Sequence, residues 1–159
     1  MSKSNLVQIR EAAFSNQDTL LRLSEKFNSD NPSSNQKKRL SDIESAISEG
    51  HLWIALREGK TAGYVLCKVF PTGHRYFPRS IFIAELFVLP DYRGQRIGEQ
   101  LIKQAFAGHY PEECATFSLT HDPDKEWLNA YYEQLGFQNT GKTEAGNVMM
   151  VRPRTSQEF

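Results

Sequence analysis

The run Ile81-Phe-Ile-Ala-Glu-Leu-Phe-Val-Leu89 constrains this chain more than any other feature. A short apolar run set between turn residues reads as a strand buried on both faces. It falls far short of the ~20 residues that cross a bilayer. Pro90-Asp-Tyr-Arg-Gly94 then turns the chain, and Ile97, Leu101, Ile102, Ala105 and Phe106 recur at helical spacing up to Gly108. Residues 115–119 read as a further apolar strand. Strand, helix and strand in that order make a crossover, so the two strands are predicted to be parallel and joined with a right-handed sense.

The flanking segments read as antiparallel. Leu6 to Ile9 is a short strand, and Leu20, Leu23 and Phe27 mark a helix over 18–27. Asn28-Ser-Asp-Asn-Pro-Ser-Ser-Asn35 is a polar break, followed by a second helix with Leu40, Ile43 and Ile47 on one face and Gly50 at its end. Residues 51–56 and 63–70 flank Glu58-Gly-Lys-Thr61 as a hairpin. Asp122-Pro123 opens a helix carrying Trp127, Leu128, Tyr131 and Leu135, because Asp caps well and Pro suits the first turn. Gly136 ends it, and the chain from Phe137 pairs with 148–151 as closing strands. The fold class predicted is α/β (α+β): a mixed, mostly antiparallel central sheet of about seven strands around one central β-α-β unit. At 159 residues this is a single domain over 1–159.

Nineteen basic and nineteen acidic residues cancel, which argues against a general nucleic-acid binder. Cys67 and Cys114 fit no metal spacing and read as reduced core thiols, and the first ten residues carry no apolar signal segment. The expected location is the cytoplasm, with no membrane and no nucleic acid as partners and a homodimer as an allowed assembly.

The chemistry centres on Val88-Leu-Pro-Asp-Tyr-Arg-Gly-Gln-Arg-Ile-Gly-Glu99, a strand, a glycine turn and a helix start. Unpaired amides at such a helix start face outward with the positive end of its dipole. Glycine lets a phosphate approach the backbone. The segment is neither a phosphate loop with Gly-Lys-Ser/Thr nor a Gly-x-Gly-x-x-Gly fingerprint. By spacing alone, a pyrophosphate cradle and a plain turn with a packing glycine both remain open.

Ala84-Glu-Leu-Phe-Val-Leu-Pro-Asp-Tyr-Arg-Gly-Gln-Arg-Ile-Gly98 resembles the acetyl-CoA motif of the GNAT superfamily of N-acetyltransferases, whose pattern is Arg/Gln-x-x-Gly-x-Gly/Ala after a strand. Arg93 and Gly98 match, while Arg96 stands at the middle glycine. Asn129-Ala-Tyr-Tyr-Glu-Gln-Leu-Gly-Phe137 resembles the family's second block, and the element order also agrees. The resemblance implies an acetyl-CoA-dependent N-acetyltransferase acting on a primary amine, with a small molecule as the leading acceptor. A protein N-terminus or lysine is the alternative acceptor, and a non-catalytic acyl-CoA-binding domain is the alternative role.

Carried over by position, the resemblance places Leu86, Phe87 and Val88 along pantetheine on a strand that splays from its neighbour, with the Val88 N–H near the thioester carbonyl. Arg93, Gly94, Gln95, Arg96, Ile97, Gly98 and Glu99 surround the pyrophosphate. Tyr132 becomes the proton donor to the leaving thiolate; the alternative is a core aromatic. Lys125 stands where many relatives have a pantetheine-binding Asn; Asn129 is the candidate substitute, and the alternative is that Lys125 meets a phosphate of the cofactor. Glu85 is the candidate base, since a carboxylate inside an apolar strand needs a reason. Its alternatives are a structural hydrogen bond or attraction of the cation without proton transfer. His121 is the second candidate base, though it reads better as an exposed turn residue. The acceptor is expected near 27–40 and 71–80, with Tyr76 and Phe77 as walls.

Overall fold

The computed structural model describes residues 6–27 and 36–159; the polar break at 28–35 lies outside the described residues. Among the described residues, seven strands form one mixed sheet with four α-helices. The elements are β1 (Val7–Glu11), α1 (Gln17–Phe27), α2 (Gln36–Glu49), β2 (Leu52–Arg57), β3 (Lys60–Val69), β4 (Ser80–Val88), α3 (Ile97–Phe106), β5 (Thr116–His121), α4 (Glu126–Gln134), β6 (Gln138–Lys142) and β7 (Val148–Pro153). The strand order is β1-β2-β3-β4-β5-β7-β6. The single parallel ladder is the expected one, β4 with β5, and the remaining described ladders are antiparallel. The described chain falls into two compact units, Met1–Cys67 with Glu85–Gly108 and Lys68–Ala84 with His109–Phe159.

In the first unit, β1 pairs with β2 and β2 with β3. Leu20 and Leu23 of α1, Ile43, Ala46 and Ile47 of α2, and Ile97, Leu101, Ile102, Ala105 and Phe106 of α3 are buried, as their helical spacing requires. Gly63 of β3 sits so close to β4 that a Cβ there would lie 2.4 Å from the Phe87 carbonyl oxygen. Only a residue without a side chain permits that approach. β4 is less sealed than its sequence implied: Ile81, Ile83 and Phe87 are buried, but Ala84, Glu85, Leu86 and Val88 are half-buried.

In the second unit, the β4–β5 ladder runs from Ser80–Thr116 to Phe82–Ser118. β5 also pairs along its length with β7, from Thr116–Pro153 to His121–Val148. β7 lies between β5 and β6. Helix α4 begins at Glu126, later than Asp122-Pro123 predicted. The Asp122 carboxylate accepts the Asp124 N–H at 2.9 Å, closing a tight turn that uses the cap oxygen before the helix starts. Trp127 also departs from the expected apolar face and is 66% exposed.

Phe70 stacks on His74 at 3.9 Å and on Phe82 at 4.5 Å, and Phe77 extends the stack. Phe77 is therefore a core residue, not an open wall. Tyr76 is half-buried, and its hydroxyl accepts the Glu144 N–H at 3.3 Å.

Candidate active site

In the first unit, β4 carries Glu85 between Tyr64 of β3 and Ser24 of α1. The Tyr64 hydroxyl donates to Glu85 Oε1 at 2.5 Å, and the Ser24 hydroxyl donates to the same oxygen at 3.0 Å. Oε2 has no protein partner among the described residues. Burial first, and then the Glu85 charge, push the Tyr64 phenol far above its ordinary value, so it stays a donor. Phe87 packs on Tyr64 at 6.2 Å and meets Phe27 edge-on at 5.9 Å.

Beyond β4 the chain makes a 3-10 turn, Pro90–Tyr92, and enters α3 through Arg93–Arg96. Gly94 has φ +81°, and a Cβ there would meet open space. Arg96, at the helix N-cap, has φ +62°. No side chain caps this helix start, so its first amides keep their donor capacity for a ligand. Arg93 turns back: its Nε donates to the Val88 carbonyl at 2.9 Å and its guanidinium lies 5.8 Å from the Phe87 ring centre. Its two terminal nitrogens make no bond among the described residues and are available to an anion. Ile97 is buried and anchors the helix start, whereas Gln95 is exposed and Gly98 half-buried. Glu99 is tied to Lys103 at 3.0 Å, which leaves its backbone as the part able to serve a phosphate. Uncapped amides, an open glycine and two arginines fit a pyrophosphate.

The second unit holds Tyr132, His121 and Asn129. Burial, and then Tyr131, push the Tyr132 phenol up to about 12. Its ring stacks on His121 at 6.1 Å and meets Phe137 edge-on at 5.8 Å. The hydroxyl has no hydrogen-bond partner among the described residues, so it is free to donate. His121 is not the exposed turn residue its sequence position indicated. It is 8% exposed because β5 runs on through it and pairs it with Val148. Its Nδ1 lies 3.1 Å from the Asp122 carbonyl, and Nε2 is buried without a partner among the described residues. Asn129 spends its amide locally, donating to Glu133 at 2.5 Å and accepting from Asn139 at 3.2 Å.

A family model described as an acetyltransferase (GNAT) domain matches residues 48–139, more than half of the chain. The chain belongs to the GNAT acetyltransferase family. An uncharacterized N-acetyltransferase of Bacillus subtilis, YesJ, is 23% identical over 124 residues, which span 73% of this chain and 68% of that protein. The N-alpha-acetyltransferase MAK3 of Arabidopsis thaliana is 30% identical over 92 residues, spanning 55% of this chain but 47% of that protein. The fold matches the PaiA N-acetyltransferase of Thermoplasma acidophilum, solved in complex with coenzyme A, with a TM-score of 0.69 at 16% identity, over 93% of this chain and 99% of that one. This GNAT protein is an N-acetyltransferase, an acyltransferase dependent on acetyl-CoA.

Tyr64, Ser24 and Gly63 carry no local sequence signal of their place here. Tyr64 and Gly63 read as ordinary members of an apolar hairpin strand and Ser24 as a polar residue inside a helix. A buried tyrosine hydroxyl needs an acceptor, and the lone carboxylate of β4 was the available signal.

Proposed function

We propose that this GNAT protein acetylates the primary amine of a small molecule by direct transfer in a ternary complex with acetyl-CoA. The observation that carries the amine reading is Glu85, whose Oε1 is held by Tyr64 and Ser24 while Oε2 has no partner among the described residues. An amine arrives as ammonium and has no lone pair until it loses a proton. Glu85 attracts that cation and takes the proton. The nitrogen then attacks the thioester carbonyl carbon, the carbon–sulfur bond breaks as Tyr132 gives its phenolic proton to the thiolate, the new amide nitrogen releases its surplus proton to water, and the Tyr132 phenolate is reprotonated from solvent. A phenol held near 12 is fully protonated at neutral pH and so serves as an acid there. Arg93, Arg96 and the amides from Gly94 to Glu99 bind the pyrophosphate, and Leu86 to Val88 run along pantetheine. The two buried cysteines, neither of them in a disulfide, support a cytoplasmic location.

A peptide N-terminus is the second reading of the acceptor. It is favoured by the match to the Arabidopsis N-alpha-acetyltransferase.

Release of free thiol from acetyl-CoA, measured with a panel of primary amines and of peptides with free N-termini, separates the two. Turnover of small amines is expected. Turnover of peptides alone overturns the small-molecule reading, and release with neither overturns the enzyme. Glu85→Gln is expected to slow turnover at neutral pH and to recover partly at high pH, where the amine is already deprotonated. A raised acceptor KM at constant turnover reduces Glu85 to a cation site. No change in either makes it structural.

A further inference from the structure

We propose that Tyr64 and Ser24 are positioning residues that lock the Glu85 carboxylate in one orientation, so that Oε2 is the oxygen that meets the acceptor amine. The inference rests on the reading of Glu85 given above. A glutamate side chain has three rotatable bonds, and a single hydrogen bond leaves it able to swing. Here two hydroxyls from different elements, β3 and α1, converge on one oxygen. Both donors are themselves fixed: Tyr64 is 1% exposed and Ser24 fully buried. Neither hydroxyl can turn to bulk water, and a buried hydroxyl without an acceptor is costly, so each is committed to its protein partners.

Packing alone does not explain the tyrosine. Tyr64 sits among the buried Val65, Leu66 and Cys67 of β3 and against Phe87, where phenylalanine would fill the same volume. The hydroxyl is what the carboxylate requires. Charge around the cluster favours the same arrangement. The phenol stays neutral because burial and Glu85 both oppose its ionisation, so it always donates, and Arg39 of α2 is the cation acting on it. Two hydroxyls thus engage one oxygen of Glu85.

The test is a double-mutant cycle on kcat/KM for the fastest primary amine of the panel, at saturating acetyl-CoA. Tyr64→Phe is expected to lower kcat/KM on the order of tenfold, the worth of one hydrogen bond to a charged group, while KM for acetyl-CoA stays unchanged. Ser24→Ala is expected to act in the same direction and guards against a folding defect in the first variant; thermal melts report that defect directly. In a Glu85→Gln background both changes are expected to cost nothing further. A merely structural role would carry the same penalty in both backgrounds, and that result would falsify the proposal. Wild-type kinetics in both Tyr64→Phe and Ser24→Ala, with Glu85→Gln impaired, overturns it while leaving the Glu85 reading intact. Wild-type kinetics in Glu85→Gln overturns the Glu85 reading itself, and this inference with it.

Discussion

Tyr132 presents a hydroxyl with no partner among the described residues on a ring wedged between His121, Tyr131 and Phe137. Removing only the hydroxyl leaves that packing in place. Tyr132→Phe is therefore expected to keep acetyl-CoA affinity by calorimetry and to lower turnover by ~10²–10⁴-fold, the usual worth of a general acid. Unchanged turnover, with chemistry limiting, would return the proton to water. Tyr132 was singled out because its neighbours in sequence carry the motif. His121 was misread because nothing local shows that β5 continues through it to meet Val148. Arg96 was legible as a departure from the motif but not as a cost. At φ +62° a glycine is unstrained and an arginine is not, so this turn carries a strained backbone at the position of the arginine.

Two elements depend on glycines for close approach. β3 passes β4 at Gly63, where an added methyl would overlap the Phe87 carbonyl oxygen. The neighbour is backbone and cannot swing aside, so Gly63→Ala is expected to destabilise by about 1–3 kcal/mol, the usual cost of overpacking, and to weaken acetyl-CoA binding by displacing Phe87 and Val88. A melting temperature and affinity both equal to wild type would show that β4 yields freely. After α4, Gly136 has φ +96°, with Arg152 Nε 3.2 Å from where its Cβ would stand. The bare glycine lets Arg152 donate to the Leu135 carbonyl at 2.9 Å and fork onto Glu158 at 2.7 and 3.0 Å. Burial alone would raise the Glu158 carboxyl, but bonds from Arg152 and the Thr155 amide outweigh it and hold it below its ordinary value. A carboxylate depressed in the folded state adds stability above its unfolded pKa of ~4.3, and that stability fades as pH falls through the folded value. The melting-temperature gap between wild type and Glu158→Gln is expected to be full at pH 7 and to shrink below about pH 4. A gap independent of pH would assign the effect to packing. The start of α4 escaped the sequence for a related reason: Asp122 had two local uses, a cap or a tight turn, and Pro123 suited both.

For the molecule as a whole, the balanced charge leaves titration of buried groups as the main lever of pH on stability. Tyr64 and Tyr132 are both pushed up, first by burial. A folded state that holds a phenolic proton more tightly than the unfolded chain is fully favoured below the unfolded value of ~10 and loses that advantage as pH rises further. Alkaline absorbance titration is expected to show Tyr64 and Tyr132 ionising above the ordinary tyrosine range, with Tyr64 ionising together with unfolding. Six tyrosines titrating together near pH 10 in a folded protein would contradict this. The sheet and its crossover were legible throughout because apolar runs and turn residues alternate. The Tyr64–Ser24–Glu85 cluster was not, since it joins three residues far apart in sequence. One feature of the sheet also sets a timetable for synthesis. β7, the last of the seven described strands, is seated between β5 and β6, so at the ribosome's ~5–20 residues per second both earlier strands wait with an open edge for the stretch from Val148 to Pro153 to emerge. Until then the half-built sheet offers two bare hydrogen-bonding edges to any neighbouring chain, which makes the closing segment the newborn protein's own protection against aggregation.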